Sequence, residues 1–230
     1  MKKAALHNLG CKVNAYETEA MQHLLEEAGY EIVPFTQKAD VYVINTCSVT
    51  NMADRKSRQM LHKAKKNNPD SIVVAAGCYV QTSEKEVLND LSVDIVIGND
   101  RKHDLVRLLD EYSLDSVNDT VDDINDGKHD FEELFIDQTK EHTRAFIKVQ
   151  DGCNQFCSYC IIPYARGRVR SRRFENVIAE VERLAANGFK EVVLTGIHLS
   201  SYGVDFEEAT GLLELIQGVN AVKGIERIRL

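Results

Sequence analysis

The sequence predicts an α/β protein in two units, each built from strands that alternate with helices. Short apolar runs, such as 41–46 and 191–196, lack the polar alternation of a half-exposed strand. The helical patterns between such runs stop at Gly29, Pro69 and Gly188. Strands that are apolar on both faces and alternate with helices are typical of a parallel sheet covered on both sides.

Residues 1–112 are predicted to form a doubly wound parallel-sheet domain. Its strands are predicted at 4–9, 41–46, 71–77 and 94–98. Its helices are predicted from Asn14 to Gly29, from about Thr50 to Asn67, directly after the capping residue Ser83, and over 101–112. The first helix has an apolar face that is formed by Ala20, Leu24, Leu25 and Ala28.

An acidic linker is predicted over residues 113–138, followed by a second α/β unit over 139–230. Residues 113–133 hold eight acidic residues and one lysine, a composition typical of an exposed loop. The second unit is predicted to have strands at 145–150, 191–196 and 225–230, with helices at about 174–187 and 207–217. Because the chain stops inside a strand, we expect it to be a fragment of a longer protein.

Composition excludes several classes of protein. The 230 residues are 43% hydrophobic and 28% charged, which is a globular composition. No apolar run approaches the roughly 18 residues that span a bilayer, and no signal peptide is present, so we predict a soluble, cytoplasmic protein. The net charge of −8 argues against a nucleic-acid partner at first sight. Most of it lies in the predicted linker, however, and the remaining residues are nearly neutral, so such a partner is not excluded.

Three of the six cysteines lie together after the strand at 145–150. Cys153, Cys157 and Cys160 form the sequence C-N-Q-F-C-S-Y-C. Structural zinc sites and electron-transfer [4Fe–4S] clusters both use four protein ligands. Three thiolates on a four-iron cluster would leave one iron open for a substrate or cofactor. The alternatives are a redox Cys-x2-Cys pair and half of a zinc site.

The other three cysteines each follow a predicted parallel strand. Cys11, Cys47 and Cys78 end the sequences L-G-C, N-T-C and A-G-C. Ligands of open α/β sheets bind at the carboxyl ends of the strands, so these three thiols can converge on one point. The alternative is three buried structural cysteines.

The Cys153–Cys160 motif resembles the signature of the radical SAM superfamily, which implies the first part of a partial (β/α) barrel. The resemblance implies that these three cysteines bind a [4Fe–4S] cluster whose open iron is chelated by S-adenosylmethionine. Reduction of that cluster would cleave S-adenosylmethionine to a 5′-deoxyadenosyl radical. Tyr159 matches the aromatic position beside the adenine, and Thr195 and Gly196 match the region that holds the amino group.

Longer motifs resemble the methylthiotransferases of this superfamily. They are L-G-C-K-V-N, N-T-C-S-V-T, G-C-Y-V-Q, C-N-Q-F-C-S-Y-C-I-I-P-Y-A-R-G-R-V-R-S-R and L-T-G-I-H-L-S-S-Y-G. The resemblance implies a second, auxiliary [4Fe–4S] cluster on Cys11, Cys47 and Cys78 that carries the sulfur to be inserted. The residues after Cys11 and Cys47 look like those of the branch that acts on N6-threonylcarbamoyladenosine at tRNA position 37, in the anticodon loop.

The resemblance therefore implies a tRNA methylthiotransferase, in which unactivated aromatic C–H chemistry is left to cofactors. Five arginines directly after the radical motif, Arg166, Arg168, Arg170, Arg172 and Arg173, are interpreted as contacts to RNA phosphates or the S-adenosylmethionine carboxylate, with a solvated loop as the alternative. Alternative functions are methylthiolation of isopentenyladenosine-37 or of a ribosomal-protein aspartate. Outside this class, an iron–sulfur carrier and a zinc-stabilised RNA-binding module are the alternatives.

Overall fold

Two β-sheets with flanking helices form the framework of the protein. A computed structural model of the chain describes residues 1–112, 118–127, 129–136, 144–207 and 210–230. The predicted α/β class is confirmed. None of the helices in these ranges is long and apolar enough to cross a membrane.

The first sheet has six parallel strands in the order β2-β1-β3-β4-β5-β6. The strands are β1 (Lys3–Asn8), β2 (Glu31–Ile32), β3 (Val41–Thr46), β4 (Ile72–Gly77), β5 (Ile95–Ile97) and β6 (Asn118–Thr120). All six residues of β3 are buried, as expected for a central strand covered on both faces. The strand order reverses between β1 and β3, and such a switch point is where open α/β sheets bind ligands.

Five α-helices accompany this sheet. They are α1 (Lys12–Glu27), α2 (Asn51–Asn67), α3 (Cys78–Thr82), α4 (Glu84–Leu88) and α5 (Leu105–Glu111). Helix α2 begins next to Thr50, as predicted, and Thr50 caps it by accepting a hydrogen bond from the Ala53 amide at 3.2 Å. The predicted helix at 101–112 begins as a 3-10 turn over Lys102–Asp104. The short helix α3 follows β4 without a loop and was not predicted.

The second sheet has four strands in the order β10-β9-β7-β8. The strands are β7 (Ala145–Asp151), β8 (Arg170–Ser171), β9 (Glu191–Gly196) and β10 (Arg227–Arg229), and the helices are α6 (Ile162–Arg166), α7 (Phe174–Ala186) and α8 (Leu212–Ala221). Three strands are parallel, as predicted. The edge strand β8 runs antiparallel to β7 and was not predicted, because two residues give no periodic signal.

Helix α1 packs against both sheets. Met21 and Leu25 lie in the core between α1 and the first sheet. Tyr16 and Ala20, on another side of the same helix, lie in the core of the second sheet with residues such as Val177. The first two thirds of α1 are therefore covered by protein on more than one side, and the two sheets share this helix.

The described part of the predicted linker is not an exposed loop. Its strand β6 pairs in parallel with β5 and adds a sixth strand to the first sheet. Ile124 is buried, and Leu134 and Ile136 lie in the core of the second sheet. These isolated apolar residues anchor an otherwise acidic sequence to the protein. Residues 113–117, 128 and 137–138 of the linker lie outside the described residues, and the boundaries at 112 and 138 stay predictions.

Candidate functional site

The three N-terminal cysteines lie at one edge of the first sheet. Cys11 is the N-cap of α1 directly after β1, and Cys78 is the first residue of α3 directly after β4. Cys47 immediately follows β3, which pairs with both of those strands. Cys11 is exposed, whereas Cys47 and Cys78 are buried. The three residues thus lie beside the switch point of the sheet.

The loop that carries Cys11 approaches Cys47 closely. Gly10 has a φ of 109°, and a Cβ at this position would lie 2.9 Å from Cys47 Sγ. Only glycine permits this approach in this backbone conformation. Burial raises the pKa of the Cys47 thiol, and the neighbouring thiols of Cys78 and Cys11 raise it further. The Cys47 thiol is therefore disfavoured as a free thiolate in this setting.

Asn14 fastens two of the cysteine loops together. Its side-chain Nδ2 donates to the carbonyls of Leu9 and Thr46 at 2.8 and 2.9 Å, just before Cys11 and Cys47. Its Oδ1 accepts a weak hydrogen bond from Cys11 Sγ at 3.7 Å. The sequence indicated Asn14 only as the start of the first helix and as part of the motif L-G-C-K-V-N, and neither signal predicts this bridging role.

The second cysteine set lies on the loop between β7 and α6. Cys157 is exposed, and Cys153 and Cys160 are half-buried. The Cys160 amide donates to the Cys157 carbonyl at 2.9 Å, and the Cys153 amide donates to the Gly167 carbonyl at 3.0 Å. The loop is therefore closed at its base. A Cβ on Gly152, whose φ is 68°, would lie 1.9 Å from the Arg168 carbonyl oxygen, so glycine is required there.

Both cysteine sets fit an iron–sulfur cluster by their donor chemistry. Thiolates are soft ligands that select iron–sulfur clusters or zinc. Within the described residues, no group of three His, Cys, Asp or Glu side chains lies close enough together to hold a metal ion without rearrangement. Each set offers three thiols, whereas a structural zinc site closes with four ligands. The close approach of the Cys11 loop to Cys47 Sγ shows that two of the three loops of the first set lie together.

A buried ionic cluster lies between the two cysteine sites and consists of Glu17, Lys102, Lys148, Asp151 and Arg166. Arg166 Nη1 lies 2.9 Å from Glu17 Oε1 and 3.0 Å from Asp151 Oδ2. Lys148 Nζ lies 2.9 Å from both of these carboxylates, and Lys102 Nζ lies 3.4 Å from Glu17. All five side chains are almost completely inaccessible to solvent.

Charge pairing dominates the ionisation of the buried ionic cluster. Burial alone would raise the pKa of Glu17 and Asp151. The adjacent cations, with Arg166 the strongest, instead hold the pKa of both carboxyls below its usual value. Glu17 belongs to α1 and Asp151 to β7, so these ion pairs join the first unit to the strand that leads into the Cys153–Cys160 loop.

The five predicted substrate-binding arginines separate into two groups. Arg166, Arg170 and Arg172 are buried, whereas Arg168 and Arg173 are exposed. Arg172 pairs with Glu180 and lies 2.8 Å from Glu133, and Arg170 donates to the Arg166 carbonyl at 2.9 Å. The burial of these three arginines and their partners inside the chain argue against a solvated loop and against open RNA contacts for them, and a contact to the S-adenosylmethionine carboxylate stays a prediction. RNA binding by Arg168 and Arg173 stays a prediction.

The three residues predicted to hold S-adenosylmethionine lie in different surroundings. Tyr159 is 91% exposed, so its ring is open to a ligand. Thr195 is buried in β9, and Gly196 ends that strand. A Cβ on Gly196 would lie 2.9 Å from Gln150 Oε1, which fixes the close packing of β9 against β7. Their roles toward the cofactor stay predictions.

The unit that carries the Cys153–Cys160 loop is a radical SAM domain by its sequence. Residues 147–230 match the model of the radical SAM superfamily, and residues 3–98 match the model described as uncharacterized protein family UPF0004. The two matched ranges together cover most of the chain, and their order follows the order of the two sheets.

Curated relatives refine this class. The chain is 45% identical to threonylcarbamoyladenosine tRNA methylthiotransferase MtaB of Bacillus subtilis, over 100% of this chain and 51% of that protein. It is 45% identical to MtaB of Aquifex aeolicus, over 99% of this chain and 55% of that protein. A tRNA-2-methylthio-N(6)-dimethylallyladenosine synthase of Thermoanaerobacter is 36% identical, over 97% of this chain and 48% of that protein. The chain is therefore similar to radical SAM methylthiotransferases over its whole length, and it spans about half the length of these relatives.

Solved structures agree on the fold. The radical S-adenosylmethionine methyltransferase TsrM from Kitasatospora setae, solved with cobalamin and a [4Fe–4S] cluster, aligns with a TM-score of 0.58 at 16% identity, over 94% of this chain and 52% of that chain. The same enzyme with tryptophan and a SAM analogue aligns with a TM-score of 0.56 at 15% identity, over 87% of this chain and 48% of that chain. At this identity the likeness shows the fold alone.

Proposed function

We propose that the protein is a tRNA methylthiotransferase that converts N6-threonylcarbamoyladenosine at position 37, in the anticodon loop, to its 2-methylthio derivative. The observation that supports this most is the presence of two separate three-cysteine sites in one chain, joined through helix α1 and the buried ionic cluster. The 45% identity to MtaB from two bacteria favours this substrate over the dimethylallyl adenosine of the less similar relatives. A tRNA substrate also agrees with the cytoplasmic location predicted from the sequence.

The cofactors of this proposal are two [4Fe–4S] clusters and S-adenosylmethionine. Cys153, Cys157 and Cys160 would hold one cluster, and Cys11, Cys47 and Cys78 would hold the other. When bound, the first supplies the radical chemistry that an aromatic C–H bond needs, and the second supplies sulfur. No side chain of the described residues needs to act as a general base for hydrogen-atom removal.

The chain itself positions these groups. Gly10 and Asn14 bring the loops of Cys11 and Cys47 together, as their close contacts show. Exposed Tyr159 offers a ring on which adenine can stack. Exposed Arg168 and Arg173 offer positive charge for RNA phosphates.

Nucleoside mass spectrometry of tRNA tests the substrate. A strain that lacks the gene is expected to lose the methylthio form of threonylcarbamoyladenosine and to accumulate the unmodified nucleoside. A wild-type copy should restore the product, and a copy with Cys47→Ala should not. If the methylthio nucleoside persisted in the deletion strain, the substrate assignment would be wrong. Loss of methylthio-isopentenyladenosine instead would favour the second branch of the family.

Two binding assays separate this enzyme from the alternatives outside its class. An anaerobically reconstituted methylthiotransferase should change its iron–sulfur spectrum when S-adenosylmethionine is added, because an open iron accepts a ligand. A carrier with fully ligated clusters would not respond. Zinc without iron in anaerobically purified protein would support the RNA-binding module.

A further inference from the structure

Asn99 contacts both Cys78 and helix α6, which follows the second cysteine loop, from a completely buried position. Its side-chain Nδ2 donates to the Ala165 carbonyl at 2.6 Å, near the end of α6. The same Nδ2 lies 3.6 Å from Cys78 Sγ, within reach of an N–H···S hydrogen bond. Asn99 lies after β5 and belongs to none of the sequence motifs described above. It has no role in the proposed function.

The neighbours of Asn99 fix the orientation of its amide. Asn99 Oδ1 lies 2.9 Å from Lys102 Nζ, which can only donate hydrogen bonds. The amide oxygen must therefore face Lys102. The NH2 group then faces Cys78 Sγ and the Ala165 carbonyl, which are both acceptors, and its two hydrogens serve one acceptor each.

The backbone also holds Asn99 firmly in place. Its amide N–H donates to Gln81 Oε1 at 2.9 Å, and Gln81 lies on α3, the helix that begins at Cys78. Its carbonyl accepts a second hydrogen bond from Lys102 Nζ at 2.9 Å. Asn99 is thus fixed against α3 on one side and α6 on the other.

We propose that Asn99 is a positioning residue for the N-terminal cluster, to whose Cys78 thiolate it donates an N–H···S hydrogen bond while it holds α6 against the site. This inference rests on the proposed function, since it requires a cluster on Cys11, Cys47 and Cys78. Hydrogen bonds to the sulfurs of an iron–sulfur cluster help to set its reduction potential. They stabilise the reduced form, which carries more negative charge, so Asn99 raises the potential of this cluster.

A variant with one cluster allows the potential to be measured without overlap. The triple variant Cys153→Ala, Cys157→Ala, Cys160→Ala removes the radical site, and anaerobic reconstitution should then load only the N-terminal site. Asn99→Asp is added because it keeps the shape of the side chain and removes the NH2 donor. Asn99→Ala removes the donor without adding charge. Asn125→Ala is the control, since Asn125 Nδ2 donates to the Pro163 carbonyl of α6 at 3.0 Å and no hydrogen bond joins Asn125 to a cysteine in the described part of the chain.

The reduction potential of the cluster, followed by electron paramagnetic resonance, decides the inference. Both Asn99 variants are expected to shift the potential to more negative values, while Asn125→Ala leaves it unchanged. A loaded cluster whose potential is the same in Asn99→Asp, Asn99→Ala and the parent would overturn the inference and leave the proposed function intact. Loss of the cluster from both Asn99 variants, with an unchanged melting temperature, would also overturn it, because Asn99 would then serve assembly. If the triple variant itself held no cluster, the inference and the proposed N-terminal cluster would both fail.

Discussion

Arg166 shows how far a sequence can mislead at a single residue. In the sequence it is one of five arginines in a polar stretch, which favours solvent or phosphate contacts. In the structure it is fully buried and pairs with Glu17, which lies 149 positions away in the chain. A sequence without aligned relatives carries no signal for such a distant pair. The predicted cysteines, in contrast, carry their chemistry in their own spacing and in the strands that they follow.

Replacing Arg166 should destabilise the protein strongly. Arg166→Met keeps most of the side-chain volume but leaves Glu17 and Asp151 with less compensating charge. Removing one partner of a buried ion pair costs about 3–5 kcal/mol of the free energy of unfolding. Urea denaturation of the cluster-free protein measures this loss. Arg168→Met is the control, because exposed Arg168 stacks on Phe156 at 4.3 Å and its loss should cost no more than about 1 kcal/mol. Equal losses in the two variants would contradict the role given to Arg166.

The strands whose carboxyl ends carry the cysteines were predictable from the sequence, whereas the contacts between the two units were not. Strands β3 and β9 were predicted with the bounds that they have, because continuous apolar runs between polar segments mark buried strands. Helix α1 was predicted with one apolar face, although it packs on two cores. Its second contact surface includes Asn14 and Glu17, polar residues that periodicity assigns to solvent.

The junction between β1 and α1 should tolerate no side chain at its glycine. Gly10→Ala would place a Cβ 2.9 Å from Cys47 Sγ in a left-handed backbone conformation, which alone costs about 1–2 kcal/mol. Cys47 must then move, so the N-terminal site is expected to bind markedly less iron. Iron analysis and the iron–sulfur absorbance of reconstituted protein measure this. Gly29→Ala is the matched control, because Gly29 has a φ of 84° and nothing lies within 4 Å of its Cβ position. Retention of full iron content in Gly10→Ala would refute the prediction.

For the whole molecule, charge is arranged very differently from what the net value of −8 suggests. The acidic excess lies mainly in residues 113–133, whose described part packs on both sheets. The interior holds more cations than carboxylates in the buried ionic cluster, beside two sets of thiols. The sequence shows the acidic excess of residues 113–133 directly. It cannot show the excess of cations in the interior, since burial of charge depends on which distant segments of the chain meet.

The buried ionic cluster predicts acid sensitivity for the whole protein. The pKa of Glu17 and of Asp151 is lower in the folded than in the unfolded protein. Their stabilisation is therefore complete above the unfolded pKa values near 4 and is lost as the pH falls below them. The urea midpoint is expected to decline from about pH 5 downward. In Arg166→Met this decline should be shallower, because the pKa values are then less depressed. If the urea midpoints of the two proteins declined in parallel with falling pH, the buried ionic cluster would not be the origin of the acid sensitivity.

Helix α1 also has a consequence for the order in which the protein is made. The helix is synthesised before residue 28, but its second core requires residues such as Leu134 and Val177, and Glu17 meets Arg166 only after 149 further residues. Chains fold from the N-terminus as they emerge from the ribosome. In the nascent first unit, Tyr16, Ala20 and the Glu17 carboxylate therefore stay exposed to water until the second unit has folded. We expect the susceptibility of the nascent chain to proteases and its binding to chaperones to fall when the second unit leaves the ribosome.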